Sequence, residues 1–377
     1  MLRLAKALSF SGREVTILST GICLNVGFYK NLWHRSAKLE IQGISVMLLP
    51  AIGAPLLGFL FEPAILAVWL FIRALVRKPA ALMVYNATLA SAVAVSLAWL
   101  LSIPVIYEVE DVPDWKTAAN TTTAEKPRFF QHLTWLIASK IQMPLSRGVV
   151  VPSTRFLRAL KLPPGKSDAA RVISGCMDVT SESPRLRSYA DGHRPLIVLF
   201  SGKLEAEHGY DLLLRAIHDM LANPDPSHSV EFHICGMPNR NATTFEPPPE
   251  HPAVKYHGFV TDAQYRQLLN DADIGLALQR PSGIFSQTKT PSKAYEFLAS
   301  GKLVIAMRVG DLDELYPHSA ICLENENPAE LAALIQNIAR NPECYIRVAD
   351  RGLCTARDRY SYLAAGRTLS ELIPANA

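Results

Sequence analysis

The chain has 377 residues, of which 49% are hydrophobic and 19% charged, so it holds enough apolar material for the cores of two domains. This composition excludes a disordered chain, and the 26 prolines and 20 glycines follow no fibrous repeat. The six cysteines form no CxxC pair, which argues against a disulfide scaffold or a zinc module. A reducing compartment fits best, so we expect a cytoplasmic protein.

Charge is divided unevenly along the chain. Residues 1–180 hold 19 Lys and Arg against 10 Asp and Glu, whereas residues 181–377 hold 19 against 24. The halves therefore carry +9 and −5, which argues against one uniform nucleic-acid-binding face. The basic half suits an anionic acceptor or an anionic membrane surface, so peripheral binding at the inner face of the plasma membrane is an expectation.

Two apolar stretches of the first half raise the question of a membrane span. Thr88–Leu101 runs for only about three to four helical turns before a proline, short of the ~20 residues that a span needs. We predict a core helix there. Pro63–Val76 is apolar all round and is followed closely by Arg77 and Lys78. That stretch fits either a buried core helix or a helix lying at a membrane interface.

Short apolar, β-branched runs alternate with helical stretches along the whole chain, which predicts parallel sheets wound with helices. The strands predicted in the first half are Glu14–Ser19, Ile44–Leu49, Ala81–Tyr85, Ile103–Glu108, Gly148–Val151 and Arg171–Ile173. Those predicted in the second half are Leu196–Ser201, Val230–Cys235, Val254–Tyr256, Ile274–Leu278, Leu303–Met307 and Ala320–Leu323. We therefore predict an α/β fold of two Rossmann-like, doubly wound domains facing a cleft.

The domain boundaries follow from the polar segment 181–194, which we interpret as a linker. It separates a domain at 1–180 from one at 195–357, and a helix in 358–377 is expected to pack back on the first domain. The first domain opens directly in a helix, Leu2–Phe10, although a doubly wound domain normally starts with its central strand. Either the sequence starts after that strand, or the domain lacks an element that should lie in the middle of its sheet. The opening also lacks the apolar region of a signal peptide.

A glycine-bounded loop follows the first predicted strand of the second domain. It reads FSGKLEAEHG over Phe200–Gly209 and leads into a helix with apolar residues at helical spacing. Backbone N–H groups in such a loop, with a helix N-terminus behind them, can hold a phosphate, and Lys203 adds a positive charge. Taken alone, a Gly-Lys turn is more often an ordinary surface turn.

The segment TPSKAYEFLASG predicts a short helix. Thr290 is a suitable N-cap, Pro291 suits the first helical position and Gly301 suits the end. Lys293 opposes the dipole of the first turn, which is easier to explain if an anion binds there. Glu296 can accept two hydrogen bonds from a vicinal diol such as a ribose, although a solvated helix carboxylate is the alternative.

In this order and spacing, the two motifs resemble the donor domain of retaining GT-B glycosyltransferases, especially glycosyltransferase family 4. The family pattern Gly-Arg-Leu, three residues, Lys-Gly is similar to Gly202–Gly209 here. The pattern Pro-x-Lys-x-x-Glu-(Tyr/Phe)-x-Ala-x-Gly is matched by Pro291–Gly301. Tyr256–Val260 is more weakly similar to the loop that packs the nucleotide base. The resemblance covers almost the whole chain and is strongest over residues 195–310.

The resemblance implies a site for a nucleotide-diphosphate sugar, UDP- or GDP-linked, with no obligatory metal or other cofactor. Lys203 would neutralise the diphosphate, backbone amides of the short helix would cap the phosphates, and Glu296 would hold the ribose. The 258–260 loop would sandwich the base. The donor-binding residues implied in this way are Gly202, Lys203, His208, Gly258, Phe259, Val260, Pro291, Ser292, Lys293 and Glu296.

The sequence departs from the family pattern in three places. His208 stands where a lysine is usual, and an imidazole carries full charge at neutral pH only when its surroundings favour it. Thr288 replaces the first Glu of an E-x7-E pattern. In the first domain, Glu110 lies about where the family has a His at the end of the fourth strand. Glu110 and Asp111 are the catalytic candidates: they can order an acceptor hydroxyl or take its proton, or they can cap the following loop.

Two further acidic pairs, Asp271-Ala-Asp273 and Asp311-Leu-Asp313, have the DxD form that binds Mn²⁺ in a different glycosyltransferase fold. The first overlaps the start of a predicted strand and the second lies in a loop. We interpret both as chance matches and predict no metal site.

The sequence thus predicts an enzyme that moves a sugar from a nucleotide-diphosphate sugar to an acceptor bound by the basic first domain. The acceptor would be a glycan or lipid-linked intermediate of envelope, capsule or exopolysaccharide synthesis. One alternative is a catalytically weak, nucleotide-sugar-binding homologue or partner subunit, which the departures favour. The other is a GT-B UDP-sugar epimerase, which would form its product from the donor alone.

Overall fold

The computed structural model describes residues 1–19, 33–52, 55–110, 133, 136–160, 162–190, 194–225, 227–238, 245–281, 290–315 and 317–374. The chain divides into two units. The N-terminal unit comprises Met1–Pro152, Leu157–Cys176 and Tyr362–Ala377, and the C-terminal unit comprises Ser153–Phe156 and Met177–Ser361.

The described strands, in chain order, are β1 (Thr16–Ser19), β2 (Trp33–His34), β3 (Ala37–Ile41), β4 (Ile44–Leu48), β5 (Ala51–Ile52), β6 (Leu82–Tyr85), β7 (Val105–Glu108), β8 (Gly148–Val151), β9 (Ala170–Val172), β10 (Leu196–Lys203), β11 (Val230–Met237), β12 (Val254–Gly258), β13 (Ile274–Ala277), β14 (Leu303–Met307) and β15 (Ile321–Leu323). The described α-helices are α1 (Leu2–Phe10), α2 (Pro55–Val76), α3 (Leu89–Leu100), α4 (Met143–Leu145), α5 (Thr154–Ala159), α6 (Arg185–Ala190), α7 (Tyr210–Ala222), α8 (Asp262–Asp271), α9 (Ser292–Ala299), α10 (Pro328–Arg340), α11 (Glu343–Thr355) and α12 (Tyr362–Ser370). All twelve strands predicted from the sequence are present, and their ends differ by at most two residues from the predicted ones.

The C-terminal unit is built on a six-stranded parallel sheet in the order β12-β11-β10-β13-β14-β15. Every residue of β13 and β14 is buried. Strands of this kind read as continuous apolar runs because helices cover both faces of the sheet, which is why their sequence pattern was unambiguous. The α/β fold class predicted from the sequence is confirmed by this sheet and by the parallel sheet of the N-terminal unit.

The N-terminal unit contains a four-stranded parallel sheet in the order β6-β7-β8-β9 and a separate three-stranded sheet in the order β1-β4-β3. Among the strands that the structure describes, β1 pairs only with β4, and β6 pairs only with β7. The sheet expected for a doubly wound domain is therefore divided at this point, where the sequence predicted a missing strand.

A hairpin of β3 and β4 was not predicted. The two strands pair antiparallel through a turn at Gln42 and Gly43, both of which have positive φ angles, 51° and 79°. A turn of this kind suits the twist of a hairpin. All five residues of β3 are exposed, so the strand shows none of the apolar alternation by which a half-buried strand is recognised.

The helices of the N-terminal unit pack in two apolar clusters, one around α3 and one around α1 and α12. α3 starts at Thr88, whose hydroxyl accepts the N–H of Ser91, and its alanines are buried against β7, as expected of a core helix. α12 packs on α1: a side chain at Gly366 would overlap the carbonyl of Ala7, and the rings of Phe10 and Tyr362 stack at 5.5 Å. No helix among the described residues has both the length and the apolarity required to cross a membrane.

The segment 181–194, interpreted above as a linker, contributes to the core of the C-terminal unit. It contains α6, in which Leu186 and Tyr189 are buried. The Tyr189 hydroxyl donates to the Ala339 carbonyl at 3.0 Å. The burial of Leu186 and Tyr189 could not be predicted, because serine, proline and charged residues surround them in the sequence. A helix as short as α6 also has too few apolar positions to show a helical period.

Candidate donor site

One edge of the six-stranded sheet collects most of the residues implied in donor binding. All six strands run parallel, so their carboxyl ends lie at the same edge. β10 ends there at Lys203, and β12 ends at Gly258. α9 leads into β14, so its N-terminus lies at this edge as well, because a helix between parallel strands runs back across the sheet.

The ends of β10 and β11 approach each other so closely that only glycine fits. Gly202 and Gly236 are partners in the sheet, with φ angles of 138° and 143°. A Cβ atom on Gly236 would overlap the carbonyl oxygen of Gly202. Next to these two residues without side chains, Lys203 is exposed at the last position of β10. A ligand can thus approach the main chain directly, with one cation beside it.

His208 lies in a 3₁₀ turn, Ala206–His208, between β10 and α7. The next residue, Gly209, has a φ angle of 76° and is the N-cap of α7. A side chain at Gly209 would collide with Leu278, so the turn is tight as well as left-handed. His208 is half-buried in this turn and remains a candidate phosphate contact.

The short helix α9 begins one residue later than predicted. Pro291 is its N-cap and Ser292 its first helical residue, so the prediction that Thr290 caps the helix is wrong. The Thr290 hydroxyl instead accepts the N–H of Asp311 at 2.8 Å, a tertiary contact that no local pattern indicates. The amides of Ser292 and Lys293 have no carbonyl one turn earlier within the helix, which leaves them directed out of its N-terminus.

Lys293 and Glu296 meet on one face of α9. The Lys293 ammonium lies 2.8 Å from Glu296 Oε2 and 2.9 Å from the hydroxyl of Tyr265, which projects from α8. The Tyr265 hydroxyl also donates to Glu296 Oε2 at 3.1 Å, and the ammonium stands 4.1 Å from the centre of its ring. Ser201, near the end of β10, lies 3.4 Å from the same hydroxyl. These contacts connect α8, α9 and β10 in one cluster.

The charge of Lys293 is stabilised by the other two residues of the cluster, Tyr265 and Glu296. Burial alone would lower the pKa of Lys293, but the neighbouring Tyr265 and Glu296 outweigh it and raise that pKa. Lys293 is therefore a cation at neutral pH. Burial raises the pKa of Tyr265, which keeps the phenol a neutral donor. Sequence reasoning missed Tyr265, because its position in α8 belongs to no motif and only the packing of α8 on β10 brings it to Lys293.

The predicted base-binding loop follows β12. Gly258 has a φ angle of 60°, and there is open space where its side chain would be. Phe259 is 80% exposed, whereas Val260 packs against the core. A large ring left in solvent at the carboxyl edge of a parallel sheet is available to stack on a planar ligand.

In the N-terminal unit, Glu110 follows β7 and accepts a hydrogen bond of 2.5 Å from the hydroxyl of Tyr85, at the end of β6. Glu108, the last residue of β7, is buried, and burial raises its pKa to about 7. Glu108 was not among the candidates predicted from the sequence. Asp111 and Thr288 lie outside the residues that the structure describes. The roles assigned to Glu110 and Asp111 stay predictions.

Both DxD pairs have protein partners. Asp273 is fully buried and its carboxylate accepts two hydrogen bonds of 2.7 Å from Arg194. Asp311 accepts the backbone N–H groups of Thr154 and Arg155 at 2.6 and 3.1 Å. These carboxylates therefore hold the fold of the C-terminal unit together.

One other group of metal-ligand types exists among the described residues: Glu205, Glu207 and His208, whose ligand atoms lie within 4.8 Å of one another. These side chains are partly or fully exposed, and exposed acidic groups often cluster without an ion. We assign no metal to them.

Comparison with known proteins agrees with this geometry. Residues 195–341 match the family model described as glycosyl transferases group 1. That match includes the glycine-rich end of β10, the Phe259 loop and the cluster around Lys293. No curated protein matches the chain in sequence.

Solved structures resemble most of the chain. Sucrose-phosphate synthase from Thermosynechococcus elongatus is 15% identical, with a TM-score of 0.64 over 98% of this chain and 90% of that one. A glycosyltransferase from Rickettsia africae is 14% identical, with a TM-score of 0.60 over 99% and 92%. Anabaena Alr3699/HepE, solved with UDP, is 18% identical, with a TM-score of 0.55 over 84% and 83%. At these identities the likeness shows the fold, which is GT-B.

The match over residues 195–341 confirms the resemblance drawn from the sequence motifs for the C-terminal unit, which is similar to the group 1 glycosyl transferases.

Proposed function

We propose that this protein transfers a sugar from a UDP-linked donor, held by the C-terminal unit, to an acceptor held by the basic N-terminal unit. The observation that carries the proposal is the cluster of Lys293, Glu296 and Tyr265 at the N-terminus of α9. It brings the Lys293 ammonium to 2.8 Å from the Glu296 carboxylate in the first turns of α9, where the amides of Ser292 and Lys293 have no carbonyl partner within the helix. The structure of Anabaena HepE with UDP-glucose supports a uridine nucleotide.

The chemistry follows from where charge develops. As the bond between sugar and diphosphate stretches, negative charge grows on the leaving diphosphate. Lys203, Lys293 and the amides at Ser292 and Lys293 are preorganised to stabilise that charge more strongly in the transition state than in the ground state. Glu296 would hold the ribose and fix the position of the nucleotide.

The acceptor is proposed to be anionic or carried by an anionic lipid, as expected of a glycan or lipid-linked intermediate in envelope or capsule synthesis. The support is the charge of +9 over residues 1–180. Glu110, hydrogen-bonded to Tyr85, is the group proposed to order the acceptor hydroxyl.

Calorimetric titration of UDP and GDP into the protein tests the donor site. We expect micromolar binding of UDP, weakened by ~1–3 kcal/mol in Lys203→Ala and in Glu296→Ala, as for lost hydrogen bonds to charged groups. Arg215→Ala and Glu343→Ala remove one positive and one negative side chain at exposed positions outside the site, and both variants should bind as the wild type does.

Failure of the folded wild type to bind either nucleotide would contradict the proposal. A second candidate, a partner subunit that binds nucleotide sugar without turning it over, is favoured by His208 in place of the family's lysine. It predicts tight UDP binding but no release of UDP from UDP-sugar with any acceptor extract. A sugar product formed from the donor alone would instead indicate an epimerase.

A further inference from the structure

Helix α2 is apolar on two sides, and among the residues that the structure describes one of these sides is packed and the other is exposed. Leu66, Leu70 and Ala74 belong to the cluster in which α2 packs on α3. The side chains on the other side are exposed by between 46% and 76%. They are Val68, Phe71, Ile72, Leu75 and Val76.

The exposed residues follow one another at steps of three, one, three and one, so they form a single stripe along the helix. In a helix on the surface of a globular domain, polar residues normally occupy that side. The end of α3, which packs on α2, adds two more exposed apolar side chains, Trp99 and Leu100. A continuous row of exposed apolar side chains on a folded domain indicates a place of contact.

Positive charge borders the stripe at its C-terminal end. Arg73 lies in the last turn of α2, and Arg77 and Lys78 follow directly after the helix. Arg77 reaches Glu14 at 3.0 Å, but both side chains are largely exposed, so this ion pair is weak. Anionic headgroups complement such a border.

We propose that the exposed stripe of α2, together with Trp99 and Leu100, docks the N-terminal unit on an anionic lipid bilayer. The helix would lie in the interfacial plane with its apolar side chains ~5–10 Å deep and its cations among the headgroups. The proposal goes beyond sugar transfer and stands without it, because docking requires neither donor nor acceptor. It defines which surface of the protein faces a membrane.

Flotation with lipid vesicles tests the surface. Full-length protein is mixed with phosphatidylcholine vesicles that contain about one third phosphatidylserine, at low salt. We expect the wild type to float with the vesicles and its tryptophan emission to shift to the blue as Trp99 enters the interface. Leu75→Ser/Val76→Ser should lower the bound fraction at least about tenfold, since two apolar side chains lose their burial.

The matched control is Leu39→Ser/Ile41→Ser, which removes two exposed apolar side chains from β3 of the same unit and should bind as the wild type does. Arg77→Gln/Lys78→Gln should weaken binding and its dependence on salt, whereas Lys38→Gln/Arg158→Gln should not. Urea unfolding followed by tryptophan fluorescence verifies that each variant is folded.

The proposal is overturned if the folded wild type does not bind these vesicles, or if the α2 variant and the β3 control bind equally. A dimer that forms without lipid and is disrupted by Leu75→Ser/Val76→Ser would assign the surface to a second copy. Lys203→Ala should float as the wild type does, so a failure of the donor site is distinguished from a failure of membrane docking.

Discussion

Tyr265 joins the groups on which donor binding is proposed to depend. Its hydroxyl contacts both Lys293 and Glu296, and its ring lies beside the ammonium. Because it contacts both side chains, we expect Tyr265 to act by positioning them for the nucleotide. The Lys293 ammonium is paired with Glu296 at 2.8 Å. A diphosphate must compete for that cation.

We expect Tyr265→Phe to weaken UDP binding by about 1 kcal/mol, because one hydrogen bond to each charged neighbour is lost while the ring remains. The ring alone should keep Lys293 in place, so Tyr265→Ala should cost more than Tyr265→Phe. Calorimetry with UDP measures both. Tyr345→Phe, at a tyrosine on α11 in the same unit, is the control. Equal affinity of Tyr265→Phe and the wild type would show that Tyr265 does not position the site.

At the scale of single elements, strand ends hold residues on which the proposed chemistry depends in both units. β10 ends in a glycine pair and a lysine, and β7 ends in a buried carboxyl. Apolar strand bodies hold these ends in register, because a parallel strand buried on both faces cannot slip without exposing its core side chains. The fixed register of the strands therefore also fixes the positions of the polar groups at the edge of the sheet.

Glu108 at the end of β7 makes the stability of the N-terminal unit depend on pH. Burial raises its pKa from 4.5 to about 7, so the carboxyl is protonated when folded but ionised in the unfolded chain between these values. The stability this provides is complete below pH 4.5 and is lost as the pH rises through 7. We expect Glu108→Gln to remove this loss, which amounts to on the order of 3 kcal/mol.

Urea unfolding between pH 5 and 9, followed by tryptophan fluorescence, measures the effect, because all five tryptophans lie in residues 33–135 of the N-terminal unit. Glu40→Gln, on the exposed strand β3, is the control and should unfold with the pH dependence of the wild type. If Glu108→Gln keeps the same slope, the carboxyl is ionised in the folded unit and the assignment is wrong.

At the scale of the whole molecule, donor and membrane contacts are proposed on different units. All described residues of the donor site lie in the C-terminal unit, and the exposed stripe of α2 lies in the N-terminal unit. The split in charge, +9 against −5, follows the same division. Each unit has its own apolar core, so the two tasks can be measured separately.

We expect UDP to stabilise the C-terminal unit selectively. A ligand at 100 times its dissociation constant adds about 2.7 kcal/mol to the state that binds it. Hydrogen exchange should therefore slow most in β10, α8 and α9, while the tryptophan-monitored unfolding of the N-terminal unit changes little. The largest protection appearing in β6 to β9 instead would place the nucleotide in the wrong unit.

The sequence by itself predicted twelve of the fifteen described strands, the two-domain α/β plan and the donor motif. Continuous apolar runs are visible without coordinates because burial on both faces of a sheet leaves no polar position, and Gly202, Lys203, Lys293 and Glu296 belong to short local patterns.

Only the tertiary structure decided what depends on contacts between distant segments. Tyr265 reaches Lys293 from another helix, and Thr290 binds Asp311 instead of capping α9. The segment 181–194 buries two side chains, and one side of α2 is exposed in the part of the chain that the structure describes. In each case the local pattern is compatible with more than one outcome. The outcome depends on which residue of a distant segment the fold brings within hydrogen-bonding or packing distance. A local stretch of sequence does not contain that residue.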